Sequence, residues 1–167
     1  DASGRYLGCN HAFEQHLGLS QQQILRKTVY DVAPKDLADT YHQADLELLQ
    51  KPGVQTYESS VVYGDGSRHE VLFNKATFQN AEGKVAGLVG TIIDITERKR
   101  AEEQIRLLAD AVQSTTELIS VADRENRFTY ANRAFLEAYG YRLEEVLGNT
   151  PQILYSPRNP PGLAEQI

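Results

Sequence analysis

Leu37, Tyr41, Ala44 and Leu48 recur three or four positions apart, and this spacing predicts a helix over 34–50 with Pro34 in its first turn. Pro52-Gly53 ends it, and three strand-like stretches follow at 54–63, 67–79 and 84–95. Gly64-Asp65-Gly66 and Asn80-Ala81-Glu82-Gly83 separate them, as hairpin turns do. A helical middle followed by an antiparallel meander is an α+β arrangement. The last stretch, from Val85 to Ile93, is apolar on both faces, whereas a sheet with one wet face alternates more cleanly. Both faces are therefore expected to be covered, one by short helices and the other by a linker helix or a partner subunit.

A second helical pattern runs over 97–116, its stripe formed by Ala101, Ile105, Leu108 and Val112. It would reach ~30 Å at 1.5 Å per residue. The narrow stripe suits a two-stranded coiled coil, although Arg98 weakens the first turn and fewer than three good heptads are present.

The chain contains an internal repeat. Residues 1–28 recur without a gap as residues 123–150, an offset of 122. Asp1/Asp123, Arg5/Arg127, Asn10/Asn132, Ala12/Ala134, Phe13/Phe135, Gly18/Gly140, Leu25/Leu147 and Thr28/Thr150 are identical. Each copy predicts a polar turn, a short strand (5–9 or 127–131), an Asn at the N-cap of a short helix, and a Gly that ends it. Ser20 with Gln23 forms a capping-box pattern for a further short helix. A β-like run at 118–122 precedes the second copy, and the first copy has no counterpart within the sequence. The expected organisation is a first unit at 1–95, a helical linker at 96–116 and the N-terminal part of a second unit at 117–167.

Composition narrows the function. The formal net charge is −6, and the most basic stretch, Arg98-Lys99-Arg100, is followed at once by Glu102 and Glu103, so no nucleic-acid footprint is expected. No window approaches the ~18 apolar residues of a spanning helix, and no membrane contact by this segment is expected. Cys9 is the only cysteine, which excludes a disulfide framework and fits a cytoplasmic location. Methionine is absent, as fits an internal segment of a longer chain whose parent is anchored to a membrane elsewhere or not at all.

The residues at 4–13 (G-R-x-x-x-x-N-x-A-F), the Asp65-Gly66-Ser67 turn and the ending G-x-V-x-G-L-V-G-x-x-x-D-I-T-E-R-K over 83–99 resemble the PAS family. The resemblance covers 1–99 and again 115–167. It implies a five-stranded antiparallel sheet flanked by short helices, a sensory role in bacterial signal transduction, and catalysis confined to a separate output module. Gly148-Asn149-Thr150-Pro151-Gln152-Ile153-Leu154 resembles PAS units upstream of cyclic-di-GMP enzymes, which are slightly preferred over a histidine kinase as the parent's output. The resemblance also places signal transmission at Asp94, Ile95 and Thr96. Asp94 is suited to accept from the free N–H groups of the following helix, so simple capping is the plainer reading of the same residues.

A pocket between sheet and helices would be lined by Phe13, Tyr41, Tyr57, Phe73 and Lys75. The aromatic residues equally suit a plain core. Lys75 on a central strand needs a partner or a polar ligand, unless it points outward to water. Neither haem at His42 nor a flavin of the LOV type, which needs a cysteine on a middle helix, is supported, and no metal or catalytic constellation has usable spacing. The cofactor is left open. A homodimer through PAS surfaces and the linker is expected, and the module is expected to detect a small-molecule ligand or a partner. The strand at 118–122 offers a possible exchange between chains in place of the first copy's absent strand. The alternative function is a ligand-free PAS dimerisation scaffold that sets effector spacing.

Overall fold

Asn10 and Asn132 begin corresponding helices in the two repeat copies. The side chain of Asn10 accepts from Phe13 N–H (3.1 Å) at α1 (His11–Leu17), and that of Asn132 from Phe135 N–H (3.0 Å) at α6 (Arg133–Tyr139). Gly18 and Gly140 end these helices in the left-handed region, at φ 67° and 72°. Two further identities of the repeat, the Asp and the Arg, have matching roles. Asp1 Oδ1 accepts from Arg5 N–H at 3.0 Å, and Asp123 Oδ1 from Arg127 N–H at 2.8 Å. The Arg5 guanidinium donates to Arg26 O at 2.8 Å, and that of Arg127 to Gly148 O at 2.9 Å.

The structure is a computed structural model that describes residues 1–155, so positions 156–167 of the expected second unit lie outside the described residues. Two compact units are present, Asp1–Ala101 and a second that begins at Glu102.

In the first unit, α1 is followed by α2 (Gln21–Ile24), α3 (Val29–Val32) and α4 (Lys35–Gln50). The Ser20–Gln23 capping box opens α2, with Gln23 Oε1 accepting from Ser20 N–H at 2.9 Å. Pro34 is the N-cap of α4 and not a residue of its first turn. The buried face of α4 carries Leu37, Ala38, Tyr41 and Leu48. Of these, Leu37, Ala38 and Tyr41 pack with Val29, Val71 and Phe73 into one core cluster, whose burial from water stabilises this unit.

Strands β1 (Val54–Val62), β2 (Arg68–Gln79) and β3 (Val85–Asp94) form an antiparallel meander in the order β1-β2-β3. Tyr57, Phe73 and Ile92 lie side by side across the sheet. Val71, Phe73 and Lys75 consequently share the inner face, because successive strand residues alternate.

One expectation is corrected here. The first unit, expected to hold the five-stranded PAS sheet without its first strand, has a sheet of three strands, because residues 5–9 form no strand. They have no strand to pair with among the described residues; Tyr6 instead exchanges backbone bonds with the turn at Arg26 and Lys27 (both 2.9 Å). The equivalent segment of the second unit, β5 (Phe128–Ala131), does form a strand because it pairs antiparallel with β4 (Ser120–Ala122) of the same chain. The outer face of β3 is also open within its unit, with Val89 59% and Ile93 48% exposed.

Helix α5 (Thr96–Ser114) follows β3. In the second unit, α6, α7 (Leu143–Val146) and a 3₁₀ turn (Pro151–Leu154) follow β5. Phe128, Ala131, Phe135 and Val146 form its core. Asn132, fully buried, uses its whole side chain. It accepts from Ile119 and Phe135 N–H and donates to Val112 O (3.0 Å) and Glu117 O (2.8 Å).

Candidate functional site

A cavity of about 610 Å³ lies in the first unit between the inner sheet face, the 5–10 segment, α1 and α4. This volume is within the usual range for small-molecule sites. Phe13, Tyr41, Phe73 and Lys75 line it, joined by Tyr6 and Asp45. Tyr57 does not line it. Its ring stacks on Phe73 with centroids 5.1 Å apart, and its hydroxyl is buried without a partner. Burial raises the Tyr6, Tyr41 and Tyr57 hydroxyls above the usual phenol range, so all three remain neutral donors at physiological pH.

Lys75 points inward and forms an ion pair with Asp45 of α4; the two side chains are only 11% and 17% exposed. Its ammonium stands 5.0 Å from the Phe73 ring centroid and 5.5 Å from that of Tyr57, within cation–π range. Gly90 across the ladder makes room for it, because a Cβ there would come 3.3 Å from Lys75 Cγ.

A second polar assembly surrounds the end of β3. Asp94 Oδ1 accepts from Thr96 N–H at 2.9 Å. Its Oδ2 accepts from Tyr63 O–H at 3.0 Å and from His69 Nδ1 at 2.8 Å. A carboxylate only accepts, so Nδ1 carries the proton in this contact. Burial alone would push the Asp94 carboxyl up, but the bonds from Thr96, Tyr63 and His69 outweigh it and hold the carboxyl at about 2. Tyr63 moves the opposite way, pushed up to about 12 by burial and by the Asp94 contact. The Tyr63 ring is sandwiched, with centroids 4.5 Å from His16 and 3.9 Å from His69. Gly64 secures this stack: its N–H donates to His16 O at 2.8 Å, and a Cβ on it would lie 2.8 Å from Gly18 Cα.

Ile95 is buried, and its N–H donates to Glu70 O at 2.8 Å. Thr96 Oγ1 accepts from Glu70 N–H at 2.9 Å. Both residues therefore extend the β2 edge into the first turn of α5. The Glu70 side chain continues the network, accepting from Ser60 Oγ (2.6 Å) and facing Lys99 Nζ (3.5 Å). Ser60 O in turn accepts from the Tyr41 hydroxyl. Lys99 also pairs with Glu58 at 2.7 Å.

Of the expected linker stripe, Ala101, Ile105 and Leu108 are exposed, the last two by 68% and 60%, while Val112 is half-buried. His42 is half-buried on α4, and its ring lies 5.4 Å from that of Tyr30. Among the described residues no cluster of three or more His, Cys, Asp or Glu is placed to hold a metal ion. No helix among them is long and apolar enough to cross a membrane.

Residues 1–100 and 112–167 match the family described as the PAS fold. The chain belongs to the PAS family. It is 31% identical over 122 residues to the aerobic respiration control sensor protein ArcB of Escherichia coli, across 73% of this chain and 15% of ArcB. It is 27% identical over 150 residues to the oxygen sensor protein DosP of the same organism, across 87% of this chain and 18% of DosP. The chain therefore spans less than a fifth of the length of these PAS relatives. Among solved structures, the PAS domain of Bordetella pertussis BvgS matches with a TM-score of 0.52 at 25% identity, over 66% of this chain and 84% of that one. The relatives are sensor proteins, and the chain is a PAS segment of that sensory class.

Several PAS-site residues were not singled out from the sequence. Asp45 carried a detectable signal, since a carboxylate on the face of α4 that also presents Tyr41 and Leu48 faces inward. His16, Tyr63 and His69 carried none, because they meet only when α1 docks on the β1–β2 turn. Asn132 was read as a helix cap, and its bonds to Val112 and Glu117 depend on the placement of the end of α5.

Proposed function

We propose that the chain is a PAS sensory module whose cavity takes up a small molecule and whose α5 helix carries the response to a downstream effector. The observation that carries this reading is the chain of contacts from the cavity to α5. Tyr41 lines the cavity and donates to Ser60 O. Ser60 Oγ donates to Glu70, and Glu70 faces Lys99 in the first turns of the helix. A ligand that displaces Tyr41 perturbs Ser60 and Glu70, and with them the contacts that hold α5 to the sheet. Asp94 and Thr96 fix the same turn from the other side. The ligand acts only through its different affinities for the two arrangements of this turn.

The far end of the helix is tied into the second unit through Asn132 and Val112, and through Gln113 Oε1, which accepts from Arg133 N–H at 3.0 Å. A change in helix orientation therefore has an acceptor within the chain. The effector is a separate module of the parent protein, a cyclic-di-GMP enzyme or a histidine kinase, and the assembly works in the cytoplasm as a homodimer. Relatives named as sensor proteins support the sensory part of this reading.

The exposed Ile105 and Leu108 favour a second reading, a ligand-free PAS dimerisation scaffold in which this stripe pairs with its copy. Native mass spectrometry of freshly purified protein separates the two. A retained small molecule, lost on substitution of Tyr41 or Phe73, supports sensing. Repeated recovery of an empty dimer supports the scaffold.

A further inference from the structure

We propose that the cavity selects planar, uncharged molecules that present a hydrogen-bond donor and an acceptor side by side, as an amide or lactam edge does. This proposal rests on the reading of the cavity as a ligand site and names the class of ligand. Lys75 and Asp45 both line the cavity and pair with each other. Neither is saturated. An ammonium has three protons, and Asp45 Oδ1 is the one hydrogen-bond acceptor Lys75 Nζ has among the described residues. Asp45 Oδ2 accepts nothing there. The pair thus offers two free N–H donors and one free carboxylate oxygen beside an otherwise largely apolar wall.

Charge decides what fits. An anion would compete with Asp45 for Lys75 and would lie beside a carboxylate that has lost its partner. A cation would meet the Lys75 ammonium. Either leaves a nearly buried charge without compensation, which costs more than the new contact returns. A neutral group with an adjacent C=O and N–H engages a free ammonium proton and the free carboxylate oxygen together and leaves the ion pair whole. The aromatic rings of Tyr6, Phe13, Tyr41 and Phe73 supply flat surfaces for the body of such a molecule. A purely apolar ligand would leave the ammonium and the carboxylate unsatisfied in a drier site than before.

The test uses the whole chain and four probes with one ring in common: benzamide, benzoate, benzylamine and toluene. Binding is followed by ligand-observed NMR. Benzamide is expected to bind at least about tenfold more tightly than each of the other three, which corresponds to about 1.4 kcal/mol. In the K75M/D45L variant, which replaces the pair by apolar side chains without stranding a charge, benzamide loses about tenfold and toluene does not. The variant's fold is checked by circular dichroism, and D45N, which keeps the side chain's size but removes the charge paired with Lys75, serves as a second variant in which benzamide binding is also expected to weaken. Equal or tighter binding of benzoate, benzylamine or toluene, or benzamide binding unaffected in both variants, overturns the ligand class while the cavity remains a binding site. Failure of all four probes to bind the wild-type chain at millimolar concentration overturns the ligand-site reading itself.

Discussion

His69 Nδ1 lies 2.8 Å from Asp94 Oδ2, so an imidazole on β2 grips the last residue of β3 where α5 begins. The same carboxylate also holds Tyr63 and the Thr96 amide. Capping of α5 and attachment of α5 to the sheet are therefore functions of one side chain.

Asp94 gives a pH dependence with a definite sign. Its carboxyl is depressed in the fold from 3.8 to about 2. The stability it adds is fully present above pH 3.8 and is lost as pH falls through about 2. The side chain is 36% exposed, so solvent screening reduces the contribution to about 1 kcal/mol. Urea unfolding of wild type and Asp94→Asn between pH 6 and 2 should show this difference at the upper end and its disappearance at the lower. A difference independent of pH would rule out the carboxylate as its source.

Ser60 links Tyr41 to Glu70 through its backbone carbonyl on one side and its hydroxyl on the other. Ser60→Ala removes only the hydroxyl. Amide hydrogen exchange at residues 97–101 is expected to accelerate roughly several-fold while exchange in α4 is unchanged. Equal acceleration in both would mean general destabilisation and no directed coupling.

Arg26 adopts φ 64°, and its repeat counterpart Gly148 adopts φ 76°. A side chain in this region is strained, and glycine relieves the strain at some entropic cost in the unfolded chain. Arg26→Gly is expected to stabilise the first unit by about 0.5 kcal/mol. Thermal unfolding reads this as a rise of roughly 2–4 °C. A lower melting temperature would show that the Arg26 side chain contributes more than its backbone costs.

Asn132 makes four hydrogen bonds from a fully buried side chain. Asn132→Ala strands the Ile119 and Phe135 amides and the Val112 and Glu117 carbonyls. A loss of about 2–3 kcal/mol in the second unit follows. Near-ultraviolet circular dichroism and urea unfolding should locate the loss there, because Asn132 makes no bond in the first unit. An effect below about 0.5 kcal/mol would mean that water replaces the amide.

The sequence by itself determined the local grammar of this PAS chain. Asn10, Asn132, Gly18 and Gly140 act as caps and stops because capping and left-handed turns depend on a residue and its neighbours within four positions. The helix at 34–50, the three-strand meander and the Asp94–Thr96 contact were legible for the same reason. The offset repeat anticipated that Arg5 and Arg127 would do the same work, and each does donate to the carbonyl of a left-handed turn residue.

Tertiary structure decided the rest. Whether Lys75 faces water or the cavity depends on which strand face α4 covers, and only docking brings Asp45 to it. Tyr57 shares that face yet stacks behind Phe73, a distinction of depth that no alternation pattern carries. The segment 5–9 has the same strand-like composition as 127–131, but a strand exists only where a neighbour accepts its backbone bonds, and β4 provides one in the second unit alone. His16, Tyr63, His69 and Asp94 come from four separate places in the chain. They form one assembly because the α1 terminus, the β1–β2 turn and the end of β3 converge, and convergence is a property of packing, not of spacing.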